Sequence, residues 1–429
     1  MIINDVWIKR FWGRNEVKTD IFRDVTIFIG ENGSGKTTFI NLITAALTVD
    51  LTQLNSLEFK EIVINLRDPN NGRRTKKIVI SRLQQPDSLP LRIFEYKIGN
   101  KKFQVYLDVR VRFEKDKVIR TGVSFSPEYR RQFLELKQII SEFVEISHIS
   151  VYRQSYIENF EGDIRPKNTP VDERLSQLFD QFAKYELRLV NELNKRSDKF
   201  QREVISSLLY DKKLDNFDTA IKNVSKIDLG TQQDKLTKAF NELKINDKSE
   251  QIEVHINKLK EALPRLKAHS DYMVDDVLIL PLIYRTNKII DLLTESEKDK
   301  RRIEEPRQKL FETLRDFMTN KTFESVSKSS GFSFQIDGND TKYPWTNLSS
   351  GEKQLLIQFL EILLQEDKSL IFIADEPELS LHLQWQDKLL KTLRSLNKNA
   401  QLIVATHSPE IVSDYSDNIV NMKEIVFNV

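Results

Sequence analysis

The run Val25-Thr26-Ile27-Phe28-Ile29 followed by Gly30-Glu31-Asn32-Gly33-Ser34-Gly35-Lys36-Thr37 constrains this chain more than any other segment. It spells the pattern G-x-x-x-x-G-K-[ST], directly after five apolar residues and directly before Thr38–Leu47, which reads as a helix. Strand, glycine-rich turn and helix N-terminus in that order form a phosphate cradle. The glycines let successive backbone N–H groups turn inward, and the helix adds the positive end of its dipole. Lys36 is expected to reach the β- and γ-phosphates of ATP and the Thr37 hydroxyl to ligate Mg²⁺, with Gly30, Asn32, Gly33, Ser34, Gly35 and Thr38 completing the ATP-binding turn. Glycine is scarce, 12 in 429 residues, so three within six positions mark a place where backbone must approach a ligand.

Two more apolar runs end on polar residues: Leu370–Ala374 on Asp375, and Leu402–Ala405 on Thr406-His407. Such near-continuous runs suit a parallel sheet covered on both faces, with the chemistry beyond the carboxyl ends of its strands. Between Glu61 and Phe113 the pattern alternates, through Ile62, Ile64, Ile78, Ile80 and Phe103–Val111, which predicts antiparallel strands turning at Asn70-Asn71-Gly72 and Gly99-Asn100. From about Val171 to Phe317 the chain reads as helical and charged. Leu175, Leu178, Phe179, Phe182, Tyr185, Leu189 and Leu193 share one helical face. Pro264 and Pro281 are expected to interrupt this segment, which excludes one unbroken coiled coil. The fold class expected is α/β: a mixed sheet plus an antiparallel β subdomain, with a helical, partly coiled-coil insertion.

Composition removes several chemistries. There is no cysteine, which excludes disulfides, thiolate catalysis and Cys-ligated metals. The five histidines, His148, His255, His269, His382 and His407, are scattered without metal-ligand spacing. No apolar run approaches the roughly 20 residues of a membrane helix, and Met1–Arg14 alternates instead of forming a secretory signal, so a cytoplasmic chain without membrane attachment is expected. The net charge of +2 argues neither for nor against a polyanionic partner.

Two further segments carry candidate chemistry. Asp375-Glu376 follows a buried-strand pattern and precedes Pro377, which suits Asp375 to the Mg²⁺ shell and Glu376 to polarising the attacking water. Leu348-Ser349-Ser350-Gly351-Glu352 opens an amphipathic helix. Ser349-x-x-Glu352 is by itself a capping box, but capping and phosphate binding use the same exposed N–H groups.

Taken together, these segments resemble the ATP-binding-cassette (ABC) ATPases, whose signature L-S-G-G-Q is matched by Leu348, Ser349 and Gly351 and, in altered form, by Ser350 and Glu352. The order of the motifs is similar to the ABC-type heads of the RecF and SMC group. That resemblance implies a head made from residues 1–165 (cradle, antiparallel subdomain and Q-loop) and 303–429 (signature, acidic pair and switch histidine), with the helical insertion at 166–302. It implies that ATP is sandwiched between one subunit's cradle and its partner's Ser349, Gly351 and Glu352, so that turnover needs a homodimer or higher homo-oligomer. It makes His407 the γ-phosphate switch histidine and Gln154, in Tyr152-Arg153-Gln154, the Q-loop glutamine that senses Mg²⁺ and water. His382 stands where this group usually has an aspartate. The stretch Asp375-Glu376-Pro377-Glu378-Leu379-Ser380-Leu381-His382 is instead similar to the overcoming-lysogenisation-defect ATPases, which usually continue into a nuclease. Only residues 408–429 follow His407, so any nuclease or toxin is expected on a separate chain.

Similar ATPases with short helical insertions occur in phage-defence modules such as PARIS, Septu and some retrons. The resemblance thus implies an ATP-hydrolysing sensor or scaffold that controls a separate effector. The rival reading is a DNA-repair or chromosome-maintenance ATPase, supported by the basic clusters Arg73-Arg74, Lys76-Lys77, Lys101-Lys102 and Arg130-Arg131, which leave nucleic acid open as a partner.

Overall fold

The computed structural model describes residues 1–83, 91–108, 111–114, 117–120, 127–149, 169–209, 229–245, 249–268, 274–325, 332–366 and 368–428. The first part runs β1 (Ile2–Phe11), β2 (Asn15–Asp20), β3 (Val25–Ile29), α1 (Lys36–Thr48), α2 (Leu51–Ser56), β4 (Glu61–Arg67), β5 (Thr75–Leu83), β6 (Leu91–Ile98), β7 (Lys101–Asp108), β8 (Val111–Glu114), β9 (Lys117–Arg120), α3 (Pro127–Ser141) and β10 (Glu145–Ile149). Among the described residues, four helices follow: α4 (Pro170–Ser206), α5 (Leu229–Glu242), α6 (Ser249–Ala268) and α7 (Val274–Phe317). The last part is β11 (Lys321–Ser325), β12 (Phe332–Ile336), β13 (Lys342–Pro344), α8 (Ser350–Leu363), β14 (Leu370–Asp375), α9 (Leu383–Leu396), β15 (Gln401–Ala405), α10 (Pro409–Val412), β16 (Ile419–Asn421), α11 (Met422–Ile425) and β17 (Val426–Asn428).

The three apolar runs that end on polar residues lie in one sheet. Its order is β10-β14-β15-β3-β16, and every pairing in it is parallel. Register sets Asp375 opposite Ala405, and Ala405 opposite Phe28, so the carboxyl ends of β14, β15 and β3 finish level with one another. All residues of β14 and β15 are buried, as a parallel sheet covered on both faces requires. That alignment brings the cradle, the acidic pair and His407 to one edge.

The alternating segment forms a second, antiparallel sheet of seven strands, β17-β2-β1-β4-β5-β6-β7. Its inward residues Ile62, Ile64, Ile78, Ile80, Phe94, Tyr96, Phe103 and Val105 are buried together with Phe39, Ile40 and Ile43 of α1. The seven-stranded sheet therefore packs on the helix that carries Lys36. Small sheets β11-β12-β13 and β8-β9 complete the strands.

Two compact units divide the chain: Met1–Ala183 with Lys309–Val429, and Lys184–Gln308. In the first, Phe179, Phe182, Phe311, Phe332 and Trp345 form a cluster of rings, with centroids 5.0–6.4 Å apart. In the second, Leu236, Ile252, Ile256, Leu259, Leu280 and Ile283 share a core, and Phe200 and Val204 of α4 join Leu292 and Leu293 of α7 in another cluster. One sequence expectation is corrected here. Pro264 lies inside α6, and Pro281 and Pro306 lie inside α7, which is 44 residues long. A proline in a helix interior costs about 3 kcal/mol, but burial of Ile252, Ile256 and Leu259 on α6 and of Leu280, Ile283 and Ile290 on α7 is worth about 1.5–3 kcal/mol per side chain and offsets that cost.

Among the described residues, no helix is long and apolar enough to cross a membrane.

Candidate functional site

β3 leads into the turn, where Gly33 and Gly35 take left-handed backbone (φ 82° and 97°). Gly35 is the N-cap of α1, and a Cβ there would stand 2.9 Å from both the Phe11 and Trp12 rings. Only glycine fits both the dihedral and the space. Lys36, 5% exposed, curls back into the turn and donates to the Gly30 carbonyl at 2.8 Å and the Glu31 carbonyl at 3.3 Å. Its Nζ is also 2.7 Å from His407 Nε2. Burial lowers the Lys36 pKa, while Glu376, Asp375 and Glu378 act in the opposite direction.

Asp375 ends β14 and Glu376 opens the following loop. Burial raises the Asp375 pKa, opposed by a hydrogen bond from Thr37. Asp375 Oδ1 is buried and has no partner among the described residues. Glu376 has left-handed backbone (φ 48°), fixed by its N–H donating to Ala405 O at 2.8 Å. Its Oε1 stands 3.9 Å from His407 Nε2. Thr406 and His407 continue from β15, so both groups hang from adjacent parallel strands. A cavity of about 650 Å³ opens here, lined by Asn32, Glu376, Glu378, Ser380, Gln386 and His407 among others.

The signature segment folds as a capping box. Ser349 is the N-cap of α8 and its hydroxyl accepts from Glu352 N–H, while the Glu352 carboxylate accepts from Ser349 N–H at 2.9 Å and pairs with Lys321 at 2.6 Å. Burial pushes the Glu352 carboxyl up, but Lys321 and the Ser349 groups outweigh it, and the net pKa is lowered. Ser349 is exposed. Gly351 is buried against the Ser380 carbonyl oxygen, where a Cβ would overlap. The side-chain bonds of Ser349 and Glu352 run to each other and to Lys321, whereas Lys36, Thr37, Asp375, Glu376 and His407 meet at the strand ends. Gln154 lies outside the described residues. His382, the departure from the family pattern, is the N-cap of α9.

Three polar residues at this edge had no assigned role in the sequence. Gln358, in the middle of the buried face of α8, is fully buried, and Glu378 and Gln386 are 8% and 9% exposed. The signal for Gln358 was its place within Leu355-Leu356-Ile357-Gln358-Phe359-Leu360, an otherwise apolar stretch. A polar group at a core position needs a partner.

The residues present suit a nucleotide with a divalent cation. The orphaned Oδ1 of Asp375 and the adjoining Thr37 hydroxyl are hard oxygen donors. Among the described residues, no group of three or more His, Cys, Asp or Glu is arranged to hold a metal by itself. Mg²⁺ is usually held by one or two carboxylates plus substrate oxygens.

Strand, glycine turn and buried lysine, with an acidic pair ending the next strand but one, define a nucleotide-binding protein of the P-loop class. The chain belongs to the AAA ATPase domain family (AAA_15), which matches residues 1–412. Over 87 residues it is 34% identical to the Retron Ec83 probable ATPase of Escherichia coli, covering 18% of this chain and 16% of that protein. The matched part is thus under a fifth of that relative. Among solved structures the chain is similar to the Smc head domain of Pyrococcus furiosus with an extended coiled coil, bound to the C-terminal domain of ScpA (15% identity, 98% of this chain, 93% of that chain, TM-score 0.44). It is also similar to the Smc head domain of Pyrococcus yayanosii with a coiled coil and joint (14% identity, 98% and 94% coverage, TM-score 0.44).

Proposed function

We propose that the chain binds ATP with Mg²⁺ in the Gly30–Thr38 cradle and hydrolyses it at an interface between the heads of two copies. The observation that carries this reading is the convergence of Lys36, Glu376 and His407, with Lys36 Nζ 2.7 Å and Glu376 Oε1 3.9 Å from the same imidazole nitrogen. In this reading Lys36 supplies the cation for the β- and γ-phosphates and Asn32 and the cradle N–H groups orient them. Glu376 takes the proton of the attacking water in the cavity beside it. His407 faces the γ-phosphate. Thr37 and Asp375 would hold Mg²⁺, which supplies charge neutralisation on the phosphates when bound. Gln154 completes the set by resemblance.

Ser349 belongs to the interface. It is exposed at the N-terminus of a 14-residue helix, where first-turn N–H groups and the dipole favour an anion. The γ-phosphate on a second copy is such an anion. The wider role is a sensor or scaffold that controls a separate effector, a nuclease or toxin, in antiviral defence; the partial match to a retron ATPase supports it. The native mass measured with ATP and with ADP tests both parts. A larger assembly with ATP, carrying a second protein from the same operon, is expected. An unchanged monomer in both nucleotides removes the interface.

Nucleic-acid binding is a second reading, favoured by register. Arg67 pairs with Thr75, and Ile78 and Lys101 both pair with Ile98, so the β4–β5 and β6–β7 turns share one end of the sheet. Exposed Arg73, Arg74, Lys76, Lys77, Lys101 and Lys102 therefore gather there. Duplex binding that weakens steeply with salt, with a flatter slope after charge reversal at Arg73 and Arg74, is its expected mark. No binding at low salt excludes it.

A further inference from the structure

The loop 376–382 carries two non-glycine residues with left-handed backbone, Glu376 (φ 48°) and Ser380 (φ 70°). Each such residue costs about 1–3 kcal/mol and persists only where its surroundings over-determine it. Here the Glu376 N–H donation to Ala405 O is joined by three buried polar side chains that hold the rest of the loop. Gln358 of α8 donates Nε2 to the Pro377 carbonyl at 3.0 Å. Gln386 of α9 donates Nε2 to the Leu381 carbonyl at 2.9 Å, and its Oε1 accepts from Ser408 Oγ at 2.7 Å. Glu378 reaches out of the loop: its Oε1 accepts from Thr406 Oγ1 and from the His407 N–H.

The geometry is specific. Two of the three side chains, Glu378 and Gln386, bridge the loop that carries Glu376 to the segment Thr406-His407-Ser408. The third ties the same loop to α8, whose N-terminus presents Ser349 and whose Gly351 abuts Ser380. Glu376 and His407 themselves are 3.9 Å apart, too far for a hydrogen bond to fix their separation. Their separation is left to the bonds between their two segments, the Glu376 N–H donation to Ala405 O at 2.8 Å and the side-chain bonds above.

We propose that Gln386 and Glu378, backed by Gln358, are positioning residues: they join the Glu376 loop and the His407 segment into one body and thereby set the separation of carboxylate and imidazole during turnover. This rests on the reading of the site as one that hydrolyses ATP. None of the three needs to touch nucleotide. A misplacement of about 1 Å at a reacting centre can cost about 10² in rate.

The test compares full-length wild type with Gln386→Leu, which keeps volume and loses both bonds, Ser408→Ala, which removes the far end of the bridge, and the double variant. Gln386→Glu keeps the acceptor for Ser408 and loses the donor to Leu381. Each is assayed for equilibrium binding of a fluorescent ATP analogue with Mg²⁺, for steady-state phosphate release, and for thermal unfolding. Gln386→Leu is expected to lower kcat about 10- to 100-fold with nucleotide affinity within about threefold of wild type. Ser408→Ala should lower kcat in the same sense, the double variant should be no slower than the slower single, since one bridge cannot be cut twice, and Gln386→Glu should recover part of the loss. A wild-type kcat in both Gln386→Leu and Ser408→Ala overturns the proposal, as does a double variant whose losses multiply or a loss of binding that matches the loss of turnover. If Gln386→Leu fails to fold, Ser408→Ala and Gln386→Glu decide alone. Absence of phosphate release by the wild type defeats the hydrolysis reading itself, a different outcome from normal turnover in the variants.

Discussion

Lys36 Nζ lies 2.7 Å from His407 Nε2, across 371 positions of sequence. An ammonium has donors only, so in this contact Lys36 donates and Nε2 accepts. With the carbonyls of Gly30 and Glu31, His407 completes the three acceptors that a lysine can serve. A triphosphate entering the cradle must therefore exchange places with at least one of them. His407→Ala frees one donor; nucleotide binding is expected to persist, tightened by no more than about tenfold. Phosphate release should nevertheless fall by about 10² if the imidazole faces γ-phosphate in the reaction. Unchanged release would remove His407 from the chemistry.

Lys36→Ala removes the ammonium that lies against the Gly30 and Glu31 carbonyls of the turn. Hydrogen bonds to charged groups contribute about 1.5–3 kcal/mol, so affinity for an ATP analogue should drop at least about tenfold, read by fluorescence titration. Retention of wild-type affinity contradicts the cradle assignment.

Glu376→Gln keeps the shape of the loop and removes the carboxylate. Turnover should fall by about 10² to 10⁴ while ATP binding survives. Gel filtration with ATP is expected to show an accumulated dimer, because closure is no longer followed by cleavage. Full turnover in this variant ends the general-base assignment.

Asp375→Asn separates stability from function. Burial holds the Asp375 pKa above its ordinary value, so the folded state binds the proton more tightly than the unfolded chain. Stability then falls as pH rises from the ordinary aspartate range, about 3.9, through the raised folded value, and the deficit stays in place above it. The amide carries no such deficit. At neutral pH the variant should melt a few degrees higher than wild type, the difference shrinking as pH falls toward the ordinary range, while Mg²⁺-dependent nucleotide binding is lost. A melting point lower than wild type at neutral pH would show that the carboxylate is well solvated or paired.

Ser349→Arg and Gly351→Ala probe the same helix end in opposite ways. Ser349 is exposed, and its loss as a cap costs about 1 kcal/mol; the variant should fold, bind ATP and fail to hydrolyse it. Gly351 abuts the Ser380 carbonyl, so alanine forces the loop 376–382 to shift and should lower the melting point more than Ser349→Arg does. Normal turnover by Ser349→Arg rules out a shared site between copies.

The strand, turn and helix of the cradle and the parallel strands were legible because they are local: apolar runs of four or five residues, followed by glycines or carboxylates, specify a buried strand and its exit. Helix continuity through Pro264, Pro281 and Pro306 was not legible, because packing of neighbouring side chains outweighs a local penalty that the sequence does display. Ser349 and Glu352 stood in the sequence both as a cap and as a phosphate contact, and the capping box is the geometry they adopt within one chain.

By itself, then, the order of residues marked the candidate groups for phosphate and a cation, and determined that the strands carrying them are buried. Only the tertiary structure decided that β14, β15 and β3 finish level, so that Glu376, His407 and Lys36 meet, and that Gln358, Glu378 and Gln386 brace the loop between them. The reason is physical: a strand's pattern is written in neighbouring side chains, whereas parallel register and buried hydrogen bonds join residues tens to hundreds of positions apart, and only close packing selects among their pairings.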